Sequence, residues 1–113
     1  MALERLAEIG VLTPTRAGYD PNDVKIIEAI ASFRAGGYEE ALGFTVYDTL
    51  RYREALEPLV QAEVGTLLGR LAGEVEPEHA VEIIASGREP LRELVGAMHS
   101  KLLLAELRRQ RAG

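Results

Sequence analysis

Leu6-Ala7-Glu8-Ile9-Gly10-Val11-Leu12-Thr13-Pro14-Thr15-Arg16-Ala17-Gly18-Tyr19-Asp20 is the stretch on which the fold of this chain turns. Leu3, Leu6 and Ile9 or Ala7 form a short apolar stripe at helical spacing, and Gly10 ends it. Val11-Leu12-Thr13 is β-prone, and Pro14 cannot continue a helix. The stretch therefore reads as a helix end, a tight glycine exit, and two very short extended pieces with a turn between them. A new helix opens directly afterwards, with Asp20 and Asn22 as candidate N-caps. Asp20 is the better cap, because Pro21 then occupies the first helical position, where its missing N–H costs nothing. Val24, Ile27, Ile30, Ala31 and Arg34 follow at helical spacing, Ile26 and Phe33 widen the apolar face, and Gly36-Gly37 closes the helix.

Tyr38-Glu39-Glu40-Ala41-Leu42-Gly43 has room for one or two further helical turns. The longest uninterrupted helical pattern runs from about Val46 to Val75. Within it Val60, Val64, Leu67 and Leu71 alternate at four and three residues, the spacing of a heptad seam. Leu59, Leu68 and Val75 broaden that seam, so the helix is expected to pack on helices of its own chain as well as on a partner. Pro58 removes a backbone hydrogen bond and must kink or split the run; a break near Glu57, with Pro58 opening a second helix, is the expectation. Gly65, Gly69 and Gly73 recur every four residues and suggest close helix–helix approach along one side.

Pro77 starts a short helix with Ala80, Val81, Ile83 and Ile84 on a broad apolar side, ended by Ser86-Gly87. Glu89-Pro90 starts the last helix, whose stripe is Leu91, Leu94, Val95, Met98, Leu102 and Ala105. Leu103, Leu104 and Leu107 make its later turns apolar on more than one face, the mark of a helix that is buried or shared with another chain. The expected fold is all-α: a helical bundle with a long helix kinked at Pro58 and at most a tiny β wing near residues 11–19.

Composition narrows the function classes. The 113 residues suit one small domain, or one plus a long helix, and 47% hydrophobic content is too much for disorder. A formal charge of −5 argues against the whole chain being a nucleic-acid binder, which needs a basic surface. The basic tail Arg108-Arg109-Gln110-Arg111 complements the negative end of the last helix dipole. Cysteine is absent, which removes disulfides and thiolate chemistry. Met1-Ala2-Leu3-Glu4-Arg5 carries no signal-peptide core, and no apolar run approaches the roughly 20 residues that span a bilayer. A cytoplasmic, soluble protein is the expectation.

Enzyme signatures are scarce. Glu78 or His79 shares a helix face with Glu82, but too few ligands converge for a metal site, so no metal and no cofactor is expected. His99 beside Met98 reads as a core-boundary residue. Ser32, Ser86 and Ser100 have no nucleophile-elbow setting, and Glu39-Glu40 point to different faces of any helix. No glycine triplet forms a phosphate loop. The chain is expected not to be an enzyme.

The order of these pieces resembles the MerR family of bacterial transcription regulators. There a Gly-Leu-Leu-x-Pro segment and a Gly-Tyr pair bracket a small wing hairpin; here stand Gly10-Val11-Leu12-Thr13-Pro14 and Gly18-Tyr19. The family's post-wing helix ends in Arg-x-x-Gly-Phe or Arg-x-x-Gly-Tyr before a short acidic helix, and Arg34-Ala35-Gly36-Gly37-Tyr38-Glu39-Glu40-Ala41-Leu42 matches with one extra glycine. The motifs cover residues 3 to 43. Two departures stand out: the family's Gly-Tyr-Arg-x-Tyr is Gly18-Tyr19-Asp20-Pro21-Asn22, and its Arg-x-Tyr-Glu is Arg5-Leu6-Ala7-Glu8.

The resemblance implies a remnant of a winged-helix DNA-binding domain over residues 1–43 and a helical dimerisation and effector-binding region over 44–113. It implies a homodimer with Val60, Val64, Leu67 and Leu71 in the seam, and a small-molecule effector in an apolar pocket lined by Ile84, Leu94 and Met98. Arg16 and Tyr19 take the places of wing residues that touch the DNA backbone. DNA would be read only by a two-helix element upstream of Met1, so the chain itself is expected not to bind DNA. The alternative is a stand-alone helical protein–protein interaction or scaffold module with no DNA role and no membrane association.

Overall fold

The computed structural model describes residues 3–112, and among them the chain is all-α. The elements are α1 (Leu3–Glu8), α2 (Pro21–Ala35), the 3₁₀ helices η1 (Glu40–Leu42) and η2 (Val46–Thr49), α3 (Leu50–Leu71), α4 (Pro77–Ser86) and α5 (Arg88–Ala112). They group into two compact units, Met1–Gln61 and Ala62–Gly113, with the boundary inside α3.

In the first unit α1 ends through Gly10, at φ 79°, in the left-handed conformation that glycine enters without a Cβ clash. The Gly10 amide donates to the Ala7 carbonyl at 3.1 Å and the Val11 amide to the Leu6 carbonyl at 3.0 Å, the paired bonds of a Schellman stop. The Leu12 amide follows onto the same Leu6 carbonyl at 3.2 Å. This return, rather than strand pairing, uses up the backbone of the β-prone Val11-Leu12-Thr13 segment. It also brings Leu12 to Leu6. Both are fully buried, and with Ile30 and Val46 they form the core, against which Leu3, Ile9, Val11, Ile26 and Ile27 pack.

The two extended pieces expected around the turn shrink to one antiparallel bridge, Thr15 to Gly18, closed by amide–carbonyl bonds of 3.0 and 2.9 Å around Arg16-Ala17. What holds this loop to α2 is Asp23. Its buried carboxylate accepts the Thr13 amide at 3.1 Å and the Asp20 amide at 3.3 Å, while Asp20 accepts the Asp23 amide at 2.8 Å. Asp20 is thus the N-cap of α2, in a reciprocal capping box with Pro21 in the first turn.

Two arginines extend this unit past residue 43. Arg53 Nε donates to the Gly10 carbonyl at 2.9 Å, and Arg5 donates to the Tyr47 hydroxyl at 2.6 Å while lying over that ring. The first compact unit runs to Gln61.

α3 runs unbroken through Pro58, so the split expected near Glu57 does not occur. Residues 51–60 are all exposed. The Glu54 carbonyl that Pro58 leaves without a donor can turn to water, which spares the helix a break that a buried setting would enforce. The helix stops at Leu71, short of Val75, and Gly73 at φ 77° belongs to the exit. The expected three-glycine helix face is thereby reduced to Gly65 and Gly69. Beyond its own helix backbone, a Cβ on either would meet no atom of the described residues within 4 Å, so no other segment of them packs closely there.

In the second unit α4 begins with Pro77 after an extended Glu76. Gly87 alone separates it from α5, which opens at Arg88, one residue ahead of the expected Glu89-Pro90 start. Among the described residues of this unit Ala80 is the one buried side chain. On α5 Arg92 holds Glu89 at 2.8 Å, and Arg109 and Gln110 hold Glu106. The Arg109 guanidinium, and then the Gln110 amide, keep the Glu106 carboxyl below its ordinary range.

Candidate functional site

A cavity of about 260 Å³ opens in the first unit between the end of α2, Tyr38, Phe44, η2 and the start of α3. Its construction follows from two chain returns. Gly37, at φ 111°, ends α2 in a second Schellman stop, with the Gly37 amide on Arg34 at 3.1 Å and the Tyr38 amide on Phe33 at 3.0 Å. The return lays Tyr38 beside Phe33, with ring centroids 4.9 Å apart and planes tilted by 41°. Gly43 then closes η1 in the left-handed region, and the Phe44 amide bonds back to the Glu39 carbonyl at 3.2 Å. Phe44 thereby also meets Tyr38, again at 4.9 Å, tilted by 32°. Tilted pairs at this separation suit the ring quadrupoles.

Tyr52 completes the aromatic lining from the first turn of α3, so four of the chain's six aromatic residues converge here. Each of the four remains 39–50% exposed, so the rings form an open bed and not a sealed core. Ile30 and Val46 lie at its base, where the cavity adjoins the core.

The charged lining is unequal. Asp48 spends one carboxylate oxygen on the Thr45 amide, at 2.8 Å, as part of the η2 capping box. Arg34 is loosely held, 3.9 Å from an exposed Glu40 carboxylate. Arg51 has no ion-pair or hydrogen-bond partner among the described residues. Two guanidiniums thus face the cavity with one carboxylate, already engaged, in a chain of net charge −5. No histidine lies in the lining, and the hydroxyl of Thr49 is committed to the Val46 carbonyl at 2.5 Å. The lining thus combines open aromatic rings with an excess of positive charge.

Comparison with family models, with curated proteins and with solved structures finds no match for this chain.

The residues singled out in the sequence fall elsewhere. Arg16 lies inside the turn closed by the Thr15–Gly18 bridge and Tyr19 directly follows it; both are exposed, while Asp20 is committed as the α2 cap. On α3, Val60 and Val64 are exposed, and Leu67 and Leu71 are half-buried. Ile84 is half-buried on α4; Leu94 and Met98 are exposed on α5. His79 and Glu82 pair at 3.5 Å, and among the described residues no group of three potential metal ligands assembles. No described helix is long and apolar enough to cross a membrane.

The aromatic bed escaped the sequence reading because Phe33, Tyr38, Phe44 and Tyr52 follow neither helical nor strand periodicity. A signal was present all the same: five of the six aromatics lie between residues 33 and 52.

Proposed function

We propose that this chain is the dimerisation and effector-sensing part of a MerR-like bacterial transcription regulator, without catalytic activity of its own. The observation that carries the reading is the uncovered apolar surface of its two long helices. No residue of α3 or α5 is buried, although Leu56, Leu59, Val60, Val64 and Leu68 on the one and Leu91, Val95, Met98 and Leu102 on the other are large apolar side chains. Isolated helices gain little from propensity alone, and helices of this kind are held by packing of an apolar face. Continuous apolar surface of this sort is the mark of an interaction site.

The pattern of α5 favours a second copy of the chain as the cover. Leu91, Val95, Met98, Leu102, Ala105 and Arg109 alternate at four and three residues, a heptad series symmetric about Ser100. Laid antiparallel on itself, such a helix sets Met98 against Leu102, Val95 against Ala105 and Leu91 against the stem of Arg109. The flanking Arg92 then meets Glu106 of the second copy. A parallel pairing would instead bring the basic stretches Arg108 to Arg111 of both helices together. The α3 series Val60, Val64, Leu67 and Leu71 supplies a second seam of the same type.

Two chains joined in this way would set two DNA readers on one operator, and an effector would change their relative setting. The Schellman exit at Gly10, the short bridge around Arg16 and the capped α2 keep the order of the family's wing segment, which supports this reading over a scaffold with no DNA role. The reading frame upstream of the Met1 codon tests it. An in-frame extension of roughly 30–60 residues, holding a two-helix reader of the usual motif size, is expected. A stop codon and a ribosome-binding site directly before Met1 would overturn the regulator reading and leave a free-standing helical interaction module.

A further inference from the structure

We infer that the cavity between α2 and the start of α3 is a binding site for a planar aromatic carboxylate of one or two fused rings. The inference goes beyond the regulator reading and stands without it, since it rests only on the first unit.

Three observations select this ligand class. The first is size: an apolar cavity of ~150 Å³ accommodates benzene, so the about 260 Å³ found here takes a second ring. The second is the bed itself. Phe33, Tyr38 and Phe44 are ordered against one another before any ligand arrives, yet each keeps two-fifths to one-half of its surface open. Burying those faces under a flat ring removes apolar surface from water without a further ordering cost. The third is charge. Arg51 has all its donors available, Arg34 is only loosely engaged, and Asp48 already accepts an amide bond. A guanidinium fork matches a carboxylate in two parallel hydrogen bonds. A flat cation would meet the same rings but would be repelled by both arginines. Asp48 in turn disfavours a multiply charged anion, which leaves the monoanion as the best match.

The test is titration of the whole chain with 2-naphthoate, 2-naphthylmethanol and 2-naphthylmethylamine, followed by calorimetry and by backbone-amide NMR. Naphthoate should bind at least about tenfold more tightly than the neutral alcohol, and the amine more weakly than either, in keeping with a charge-assisted hydrogen bond. Amide shifts should concentrate between residues 30 and 52. Arg51→Gln should erase the preference for the anion while leaving the dichroism spectrum unchanged, because Arg51 is exposed and supports no other side chain. Tyr38→Ala should weaken the acid and the alcohol alike.

Equal affinity for the acid and the alcohol would overturn the assignment, as would a preference for the amine. So would shifts confined to α5, whose exposed leucines are the competing apolar surface. None of these outcomes bears on the reading frame upstream of Met1, so the site and the regulator reading can fail separately.

Discussion

The first unit and the second unit of this chain solve the burial problem in opposite ways. Residues up to Gln61 break their helices with long loops, yet they seal Leu6, Leu12, Ile30 and Val46 and fasten those loops with Asp23, Arg53 and Arg5. Residues from Ala62 onward are mostly helix and bury one alanine. Loops can be held by a few well-placed polar bonds, because each bond satisfies a specific amide or carbonyl. A long amphipathic helix has no such remedy: its own backbone is already satisfied, and only another apolar surface can cover its side chains. The contrast places the sealed core of the described residues in the first unit and leaves the second with apolar side chains that, under the proposed dimer, a partner would cover.

The sharpest way to break that comparison is to charge the seam. Val64→Glu with Leu67→Glu should turn a dimer into soluble monomers in sedimentation equilibrium, since two carboxylates buried without partners cost several kcal/mol each. The first unit should keep its fold. If this variant stays dimeric while Met98→Glu with Leu102→Glu becomes monomeric, the pairing helix is α5 and not α3. A wild-type chain that is monomeric at high concentration would remove the dimer altogether and leave the two helices to cover each other.

Next in size is an attack on the sealed core. Leu6 is fully buried and its carbonyl receives two amides, so Leu6→Ala opens a cavity beneath the Gly10 turn. A loss of about 2–5 kcal/mol in urea unfolding is expected. If the comparison is right, the loss appears in the amide exchange of residues 5–53 and leaves the protection of α5 unchanged. Equal losses in both units would mean that they unfold as one body, and the independence argued above would go.

How much of this could be read beforehand depends on whether the determinant is local. Asp20 with Pro21 as a helix start, and Gly10 and Gly37 as exits, depend on residues within one turn, and these features were legible. So was the all-α class, because the apolar spacing of α2, α3 and α5 repeats over several turns. Of the two outcomes expected at Pro58, a kink or a split, the split is absent because the cost of a missing hydrogen bond depends on exposure, which the sequence does not display. The burial of Asp23 had no local signal, because it depends on Thr13 being brought back to it by the loop. The aromatic bed was the least legible feature. It needs two left-handed returns, at Gly37 and Gly43, to bring Phe33, Tyr38 and Phe44 into line, and no periodic rule links those positions.

The smallest expected effect gives the most discriminating sign. Gly69 lies inside α3, where glycine weakens a helix by up to about 1 kcal/mol relative to alanine. On the helical wheel Gly65 and Gly69 lie opposite Val60, Val64, Leu67 and Leu71, and beyond the helix's own backbone no atom of the described residues comes within 4 Å of a Cβ added at either. If the partner chain covers the valine and leucine side, the glycine side faces water. Gly69→Ala should then raise stability by about 0.5–1 kcal/mol and leave the dimer constant unchanged. If a helix of the partner instead approaches closely along the glycines, the new methyl group collides with it. The same substitution would then weaken the dimer while still stabilising the isolated helix. Thermal unfolding measured at two protein concentrations separates these cases, because only the second makes the effect of one methyl group depend on how much dimer is present.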